Sequence, residues 1–340
     1  MFQRILVALD GSSRAEQAIP MAIQLARSFD GTILLVEVVR GPAEFEVGAV
    51  SPAIWAPPAN PLDRERARDY LKRVAAGDQF SGIVTETGVY AGPAAGTLRL
   101  IAQVRKADLV VMATRGLTGL KRWALGSVAE QVIHESDLPV LLLPQHDDPT
   151  LSSAAAAERP CALVALDGSA FSEAAIVPAA HLVRALSGSD SGALHLLRVL
   201  DEVDTETLGE NELTPFAAHA ATEEWALQQA SEYLTTTAAR VREALGRTAP
   251  TITWSVAVNP QFGSYASDVA GVILRTAEAG EPVAGVTAPT RCSVIAMASH
   301  GRGGLSHWIL GSITLRVLHT TNLPMLIVRP PAAPRRSTAD

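Results

Sequence analysis

The residues with the clearest chemical potential are two aspartates, each of which follows an apolar run. Asp10 follows Ile-Leu-Val-Ala-Leu and Asp167 follows Ala-Leu-Val-Ala-Leu, and both are followed by Gly-Ser. A carboxylate at the end of a buried strand can accept hydrogen bonds from ribose hydroxyls. Asp-Gly-Ser is also ordinary turn chemistry that leads into a helix. The residues alone leave these two interpretations open.

Two glycine–serine pairs suggest a second chemistry, the binding of phosphate. Nine residues separate Gly116 from Gly126-Ser127, and nine separate Gly301 from Gly311-Ser312. Glycine lets backbone amides approach an anion, and the amides and dipole at a helix N-terminus favour phosphate. The serine hydroxyl could donate to a phosphate oxygen or bind a metal ion on it. Its alternative role is that of a plain helix N-cap.

Both features occur twice because the chain contains an internal repeat. The glycine motif recurs with constant spacing, together with His134 and His319, which we interpret as structural. A repeat of this length in a chain of 340 residues predicts two domains. The expected divisions are a first domain at 1–145, a linker at 146–159, a second domain at 160–330 and a disordered tail at 331–340.

The elements that must position these residues alternate between strands and helices, which predicts a parallel sheet with helices on both faces. In the first half, strands are predicted at 4–9, 32–39, 82–90, 109–113 and 139–143, and helices at 13–29, 62–76, 95–105 and 127–135. In the second half, strands are predicted at 161–166, 193–200 and 251–258, and helices at 172–185 and 221–245. The expected fold class is α/β, with two tandem open five-stranded parallel sheets.

Composition and charge exclude several classes of function. The net charge is −7 and no Lys or Arg cluster is present, so we expect no nucleic-acid partner. No apolar run approaches the roughly eighteen residues that span a membrane. The amino terminus does not resemble a signal peptide. We therefore expect a cytoplasmic protein without a membrane partner, in which Cys161 and Cys292 are small buried core residues.

The glycine motif, with Asp-Gly-Ser upstream of it, resembles that of the universal stress protein family. The family motif is glycine, two residues, glycine, nine residues, glycine and then serine or threonine. The resemblance covers nearly the whole chain in two tandem copies. It implies a Rossmann-like fold of the adenine-nucleotide alpha hydrolase type. Family members divide into ATP binders and non-binders according to whether the motif is intact.

The resemblance also implies a set of ATP contacts, with Mg²⁺ on the phosphates as an option. Asp10 would contact the ribose or adenine, Val38 would hold the adenine through its backbone, and the glycine loop would hold the phosphates. The implied contacts in the first half are Asp10, Val38, Ala113, Arg115, Gly116, Gly126, Ser127 and Val128. The implied contacts in the second half are Asp167, Val199, Ala298, His300, Gly301, Gly311, Ser312 and Ile313. Arg115 and His300 could instead lie on the surface as caps.

One departure from the family motif recurs, because its first glycine is replaced by Ala113 and Ala298. If that position needs a positive φ, alanine costs roughly 1 kcal/mol and weakens binding. If it is a packed strand end, alanine is harmless, and we favour this because both halves accept it.

The glycine loops of the two halves differ in charge. Lys121 and Arg122 in the first loop correspond to Ser306 and His307 in the second, so we expect the first site to bind more tightly. Trp123 and Trp308, three residues before the glycine–serine pairs, are interpreted as packing residues.

No catalytic motif of a serine hydrolase, P-loop enzyme, redox dithiol or zinc protease is present. The leading hypothesis is an ATP-binding regulatory protein whose nucleotide state biases its conformation or its contacts with a protein partner, with at most slow hydrolysis. The alternatives are an interaction scaffold with one or both sites inactive and, less favoured, a nucleotidyl-transferring enzyme. The tandem halves could pair within one chain, and a further homodimer is left open.

Overall fold

Each half of the chain builds its strands from short runs of valine, leucine, isoleucine and alanine, a composition typical of strands covered on both faces. The computed structural model describes residues 2–39, 60–114, 125–144, 160–188, 192–200, 215–258, 268–279, 291–299 and 310–329. Of residues 215–222 and 247 it describes the backbone alone.

The regular elements of the two halves follow the same order. The strands are β1 (Arg4–Leu9), β2 (Thr32–Val39), β3 (Val84–Ala91), β4 (Leu109–Ala113), β5 (Val140–Leu143), β6 (Cys161–Leu166), β7 (Ala193–Leu200), β8 (Thr251–Val258), β9 (Val294–Ala298) and β10 (Met325–Val328). The helices are α1 (Ser13–Glu16), α2 (Ile19–Phe29), α3 (Pro61–Ala75), α4 (Ala94–Val104), α5 (Ser127–Glu135), α6 (Ala170–Glu173), α7 (Ile176–Ser187), α8 (Pro215–Leu245), α9 (Val269–Ala279) and α10 (Ser312–Thr320).

The strands of the described residues form one sheet in the order β3-β2-β1-β4-β5-β10-β9-β6-β7-β8. Neighbouring strands are parallel within each half. Between the halves β5 and β10 are antiparallel, with Leu141 opposite Leu326. Two five-stranded parallel sheets of the same topology are therefore joined at their β5 and β10 edges, which confirms the predicted α/β fold class.

A break in each half divides what the sequence predicts to be one helix. The predicted helix at 13–29 is wrong, because α1 ends at Glu16 and α2 begins at Ile19. Pro20 has no N–H to donate to the carbonyl of Glu16, so the helical ladder is interrupted there. The predicted helix at 172–185 is divided in the same way between α6 and α7, where Pro178 follows the break.

Two other predicted boundaries need correction. The predicted strand at 82–90 begins later, at Val84, because Gly82 has a φ of 79° and belongs to a turn. The helix predicted at 221–245 begins earlier, at Pro215, a residue that is tolerated in the first turn of a helix. Both differences concern element ends, where local propensity is weakest as a guide.

Side chains alternate between the two faces of the sheet and build two layers of core. Ile5 and Val7 of β1 pack against α2 and α3, whereas Leu6 and Ala8 pack on the opposite layer, which α4 and α5 cover. The first layer continues through both halves. The sheet thus brings the carboxyl ends of its parallel strands to a common edge in each half.

Aromatic rings and hydrogen bonds join the halves beside the sheet. Phe2 is fully buried, and its ring makes edge-to-face contacts with Phe29 and with His181 of the second half, at centroid distances of 5.9 and 6.4 Å. Ser28 Oγ donates to the carbonyl of Ala185 at 2.9 Å. We call this cluster of Phe2, Phe29 and His181 the aromatic seam.

Candidate functional site: the crevices at the strand ends

A crevice forms in each half where the strand order reverses. In the first half β1 lies between β2 and β4, and Val7 is opposite Val111. The two strands therefore end side by side, at Leu9 and Ala113. Open parallel sheets bind ligands at such points, beyond the carboxyl ends of the strands. In the second half β6 and β9 form the equivalent crevice.

Asp10 lies at the first crevice, in a turn that its own side chain stabilises through hydrogen bonds. Its Oδ1 accepts hydrogen bonds from the N–H of Ser12 at 3.0 Å and from Ser12 Oγ at 2.6 Å. Ser12 Oγ in turn accepts the N–H of Ala15 at 3.1 Å, which caps α1. Gly11 has a φ of 81°, a conformation that residues with a Cβ rarely adopt. The turn fixes the half-buried carboxylate at the strand end.

Asp167 makes the same turn in the second crevice. Its Oδ1 accepts the N–H of Ser169 at 2.9 Å and Ser169 Oγ at 2.6 Å, and Gly168 has a φ of 86°. Ser169 Oγ accepts the N–H of Ser172 at 3.2 Å. The turn interpretation of Asp-Gly-Ser is thus confirmed in both halves. It is compatible with ribose binding, which stays a prediction.

The first glycine–serine pair anchors a helix N-terminus at the end of β4. Gly126 is the N-cap of α5, and its N–H donates to the carbonyl of Thr114 at 2.7 Å, the residue after β4. Its carbonyl accepts the first helical hydrogen bond, from Glu130 at 2.9 Å. Ser127 is the first helical residue and is exposed. The alternative role of Ser127 as N-cap is therefore wrong, because the glycine takes that position.

The second pair repeats this geometry. The N–H of Gly311 donates to the carbonyl of Ser299 at 2.9 Å, and its carbonyl accepts from Leu315 at 2.9 Å. Ser312 and Ile313 are exposed at the start of α10. The N-cap role considered for Ser312 is likewise wrong. The first amides of both helices point out of the helix toward the crevice end of the sheet, as helix geometry requires.

The alanines that replace the first motif glycine lie in strands. Ala113 and Ala298 are the last residues of β4 and β9, and each is 6% exposed. Neither is among the residues with a positive φ. The interpretation as a packed strand end is confirmed, so alanine carries no backbone strain at either position.

The remaining predicted contacts are partly described. Val38 and Val199 are half-buried in β2 and β7, and Val38 borders the same core layer as Val128 of α5. Ten loop residues named from the sequence lie outside the described residues. They are Arg115, Gly116, Lys121, Arg122 and Trp123 in the first half and His300, Gly301, Ser306, His307 and Trp308 in the second.

The histidines of the repeat lie away from the crevices. His134 is half-buried in the last turn of α5, and His319 is exposed in the last turn of α10. No group of three or more His, Cys, Asp or Glu among the described residues is arranged to hold a metal ion.

Glu37 is a further residue of the first crevice that belongs to neither sequence motif. It precedes Val38 near the end of β2, and its Oε2 is buried without a hydrogen-bond partner. Burial first, and then the neighbouring Asp10 carboxylate, raise the pKa of Glu37 to about 7. The signal for it is a single acidic residue in an otherwise apolar strand, Thr-Ile-Leu-Leu-Val-Glu-Val-Val.

Arg198 occupies the matching position in the second half, directly before Val199. Its guanidinium carbon lies 5.3 Å from the centre of the Tyr233 ring, within the range of a cation–π contact. The pKa of Tyr233 is raised to about 12 by burial and by Glu173. The two crevices thus have the same hydrogen-bonded turn but opposite charges at this position.

Tyr70 is the counterpart of Tyr233 in the first half. Its pKa is raised by burial first, and then by the carboxylates of Glu16, Glu37 and Asp10. Three acidic groups therefore act on one buried phenol, which marks this side of the first crevice as electronegative.

The fold and the crevices together define a tandem, doubly wound α/β protein with two similar candidate sites. The model of the universal stress protein family matches residues 1–144 and 266–329, which is more than half of the sequence. The chain belongs to the universal stress protein family, and this membership confirms the resemblance seen in its motifs.

Curated relatives match both the whole chain and one half of it. A universal stress protein from Mycolicibacterium smegmatis is 26% identical over 341 residues, which cover 96% of this chain and 97% of the relative. A universal stress protein from Methanocaldococcus jannaschii is 33% identical over 149 residues, which cover 42% of this chain and 82% of the relative. The family is one of stress-response proteins by name.

A solved structure of a family member shows the same fold. The crystal structure of a universal stress protein from Archaeoglobus fulgidus superimposes with a TM-score of 0.61 at 19% identity and covers 97% of this chain and 99% of its own. A further universal stress protein, solved in complex with cAMP, has a TM-score of 0.29 at 23% identity and covers 43% of this chain and 98% of its own. That family member therefore binds a nucleotide. No helix of the described residues has the length and apolar character needed to cross a membrane.

Proposed function

We propose that the protein binds ATP in both halves and acts as a stress-response regulator, in which the bound nucleotide biases the conformation of the chain or its contacts with a protein partner. The observation that carries this proposal is the glycine-capped helix N-terminus at each crevice. Gly126 and Gly311 hold α5 and α10 against the strand ends through equivalent backbone hydrogen bonds. Such helix starts favour anions, and phosphates above all.

The conformation of these glycines supports a role in ligand approach. Gly126 has φ −68° and ψ 141°, and Gly311 has φ −57° and ψ 141°, values that any residue can adopt. A Cβ on Gly311 would lie 3.6 Å from the carbonyl oxygen of Ser299, an ordinary contact. Because the backbone there does not require glycine, close approach of a ligand to the amides is the physical reason we assign to it.

The division of labour in the proposed sites follows the fold. Asp10 and Asp167 would hold the ribose or adenine, and the backbones of Val38 and Val199 would hold the adenine. The helix starts would hold the phosphates through Gly126, Ser127, Val128, Gly311, Ser312 and Ile313. The strand-end and loop contacts proposed with them are Ala113, Arg115, Gly116, Ala298, His300 and Gly301.

Magnesium fits this donor set only through the nucleotide. Two serine hydroxyls and backbone amides are phosphate ligands, whereas Mg²⁺ prefers carboxylate, water and phosphate oxygens. We therefore propose that Mg²⁺ is bound by the ATP phosphates, and that hydrolysis is slow at most.

The organisation and location belong to the same proposal. We assign one site to each of two domains, at 1–145 and 160–330, joined by the linker at 146–159. We propose a cytoplasmic location, where cysteines such as Cys161 and Cys292 remain thiols at rest.

The proposal is tested by calorimetric titration of the intact chain with ATP and Mg²⁺. We expect two sites in the original sequence, and loss of one site in each of Gly126→Ala and Gly311→Ala. Gly96→Ala is the matched control, because a Cβ at this helical position meets only Glu135 Oε2 at 3.8 Å and lies on α4. Absence of heat at micromolar protein, or equal binding by all four chains, would contradict the proposal.

A further inference from the structure

The fold brings together the only two cysteines of the 340-residue chain. Cys161 and Cys292 are separated by 131 positions, yet their Sγ atoms lie 3.0 Å apart and form a hydrogen bond. Both residues are 3% exposed and belong to the same core layer. The sequence-based interpretation of two buried core residues is confirmed, but it did not include their contact.

The strand register explains how the thiols meet. Ala162 of β6 is opposite Val294 of β9, so Cys161 is opposite Ser293 and diagonal to Cys292. The N–H of Ser293 donates to the carbonyl of Cys161 at 2.8 Å, and the N–H of Cys161 donates to Ser293 Oγ at 3.2 Å. These bonds hold both backbones beside each other, while a bend at Ser293 turns Cys292 to the face of Cys161.

This arrangement suits a covalent bond between the sulfurs. The bonds between Cys161 and Ser293 hold the two segments about one strand spacing apart, which is about 4.8 Å. Disulfides join Cα atoms that lie about 4.4 to 6.8 Å apart, a range that segments at this spacing can meet. The sulfurs need to approach by only about 1 Å to reach bonding distance.

We propose that Cys161 and Cys292 form a reversible disulfide when the protein is exposed to a peroxide, so that the second half carries a redox modification site. The proposal is independent of nucleotide binding. The oxidant is hydrogen peroxide, because the reaction needs an acceptor of two electrons that the chain does not supply.

The local chemistry indicates the order of steps. The pKa of Cys292 is raised by its hydrogen bond to Cys161 and by burial, so we assign to Cys292 the second step, in which it reacts as a thiol. The thiolate of Cys161 attacks one peroxide oxygen and cleaves the O–O bond, which yields a sulfenic acid and, after protonation of the leaving hydroxide, water. Cys292 sulfur then displaces the hydroxyl from Cys161, and its proton leaves with that hydroxyl as a second water. Two thiols and one peroxide give one disulfide and two waters.

The modification would affect one half of the chain alone. The positions equivalent to Cys161 and Cys292 in the first half are Arg4 and Ala107. There the carboxylate of Asp108 accepts the N–H groups of Gln3 at 2.7 Å and Arg4 at 3.2 Å. A disulfide in the second half would close a loop that contains β7, α8, β8 and α9, which restricts the unfolded chain and raises thermal stability.

The test is peroxide treatment of the reduced, folded, full-length chain, followed by denaturation, thiol titration and intact mass measurement. We expect titratable thiols to fall from two to zero and the mass to fall by two hydrogens, with full reversal by dithiothreitol. The thermal midpoint of the oxidised chain should rise by several degrees.

Single variants Cys161→Ala and Cys292→Ala serve as controls, because neither can lose two hydrogens or gain stability on peroxide treatment. Two remaining thiols in the treated original chain, a mass increased by oxygen atoms, or covalent dimers in place of the internal bond would overturn the proposal. A thermal shift that also occurs in the single variants would overturn it as well.

Discussion

The two halves of this protein keep the backbone of the crevice and change the charge beside it. The turns of Asp10 and Asp167 agree to within 0.1 Å in their corresponding hydrogen bonds. Glu37 and Arg198, one residue before matching valines, have opposite charges. The fold and the proposed ligand therefore require the turn and the helix start, whereas the charged residue beside them can tune each site separately.

The halves also differ in the way their strands are held. In the first half the Glu86 carboxylate bonds Arg4 at 3.1 Å and pairs with Arg105 as well. In the second half the corresponding part of the sheet contains the thiol pair and His195, which takes the place of Leu34. His195 is 1% exposed, with Nδ1 at 3.0 Å from Thr253 Oγ1 and Nε2 at 2.8 Å from Ser255 Oγ. Partly exposed ion pairs in one half thus correspond to buried neutral groups in the other.

The largest expected effect comes from weakening the contact between the halves at the aromatic seam. Phe2→Ala removes a fully buried ring from the aromatic seam and should lower the free energy of unfolding by about 3–5 kcal/mol. Urea unfolding should then change from one transition to two, because the seam couples the halves. The control is Leu98→Ala, since Leu98 is 4% exposed but lies on α4 in the opposite core layer. Equal loss of coupling in both variants would refute the role of the seam.

A second effect concerns the pH dependence of stability. His195 gives the second half a dependence that the first half lacks, because Leu34 occupies the equivalent position there. Burial lowers the pKa of His195 to about 4, below its value of 6.5 in the unfolded chain. The unfolded chain therefore binds the proton more readily, and stability present above pH 6.5 is lost as pH falls toward 4, by about 3 kcal/mol. His195→Leu, which copies Leu34, should remove this part of the pH dependence in urea titrations. An unchanged acid dependence in the variant would show that another group is responsible.

A smaller effect tests the charge beside the first crevice. The pKa of Glu37 is raised to about 7 from 4.5, so folding favours its protonated form, and stability is lost as pH rises through 7. Glu37→Gln should stabilise the protein at pH 8 by about 1 kcal/mol, allowing for solvent screening of a half-exposed group, and change little at pH 5.

The same substitution sharpens the comparison of the proposed ATP sites. At pH 8 Glu37→Gln should tighten ATP at the first site several-fold, because it removes a negative charge beside Asp10 in the crevice that takes the anionic nucleotide. Arg198→Gln should weaken ATP at the second site in the same calorimetric assay. Equal effects of both substitutions on both sites would contradict separate tuning. The tighter first site expected from Arg115, Lys121 and Arg122 stays a prediction that these variants help to test.

Much of the fold follows from the sequence because strand runs, the Asp-Gly-Ser turn and the glycine–serine helix starts are local signals. β1 and β4 have the predicted bounds, and Gly126 begins a helix as expected. Cross-strand relations are not local. The contact of Cys161 with Cys292 depends on β6 and β9 being neighbours. The effect of the Asp10 carboxylate on the pKa of Glu37 depends on the pairing of β1 with β2. Pro20 is a local signal for the break between α1 and α2. The apolar residues on both sides of it keep helical spacing, so the pattern predicts one continuous helix.

If each half provides one nucleotide site, as we propose, the number of ATP molecules bound per chain is two. Native mass spectrometry of the intact protein at increasing ATP and Mg²⁺ gives this number. We predict two bound ATP molecules, and one in each of the Gly126→Ala and Gly311→Ala chains. A chain that remains free of ATP at millimolar nucleotide, or that keeps both molecules in these variants, would contradict the account.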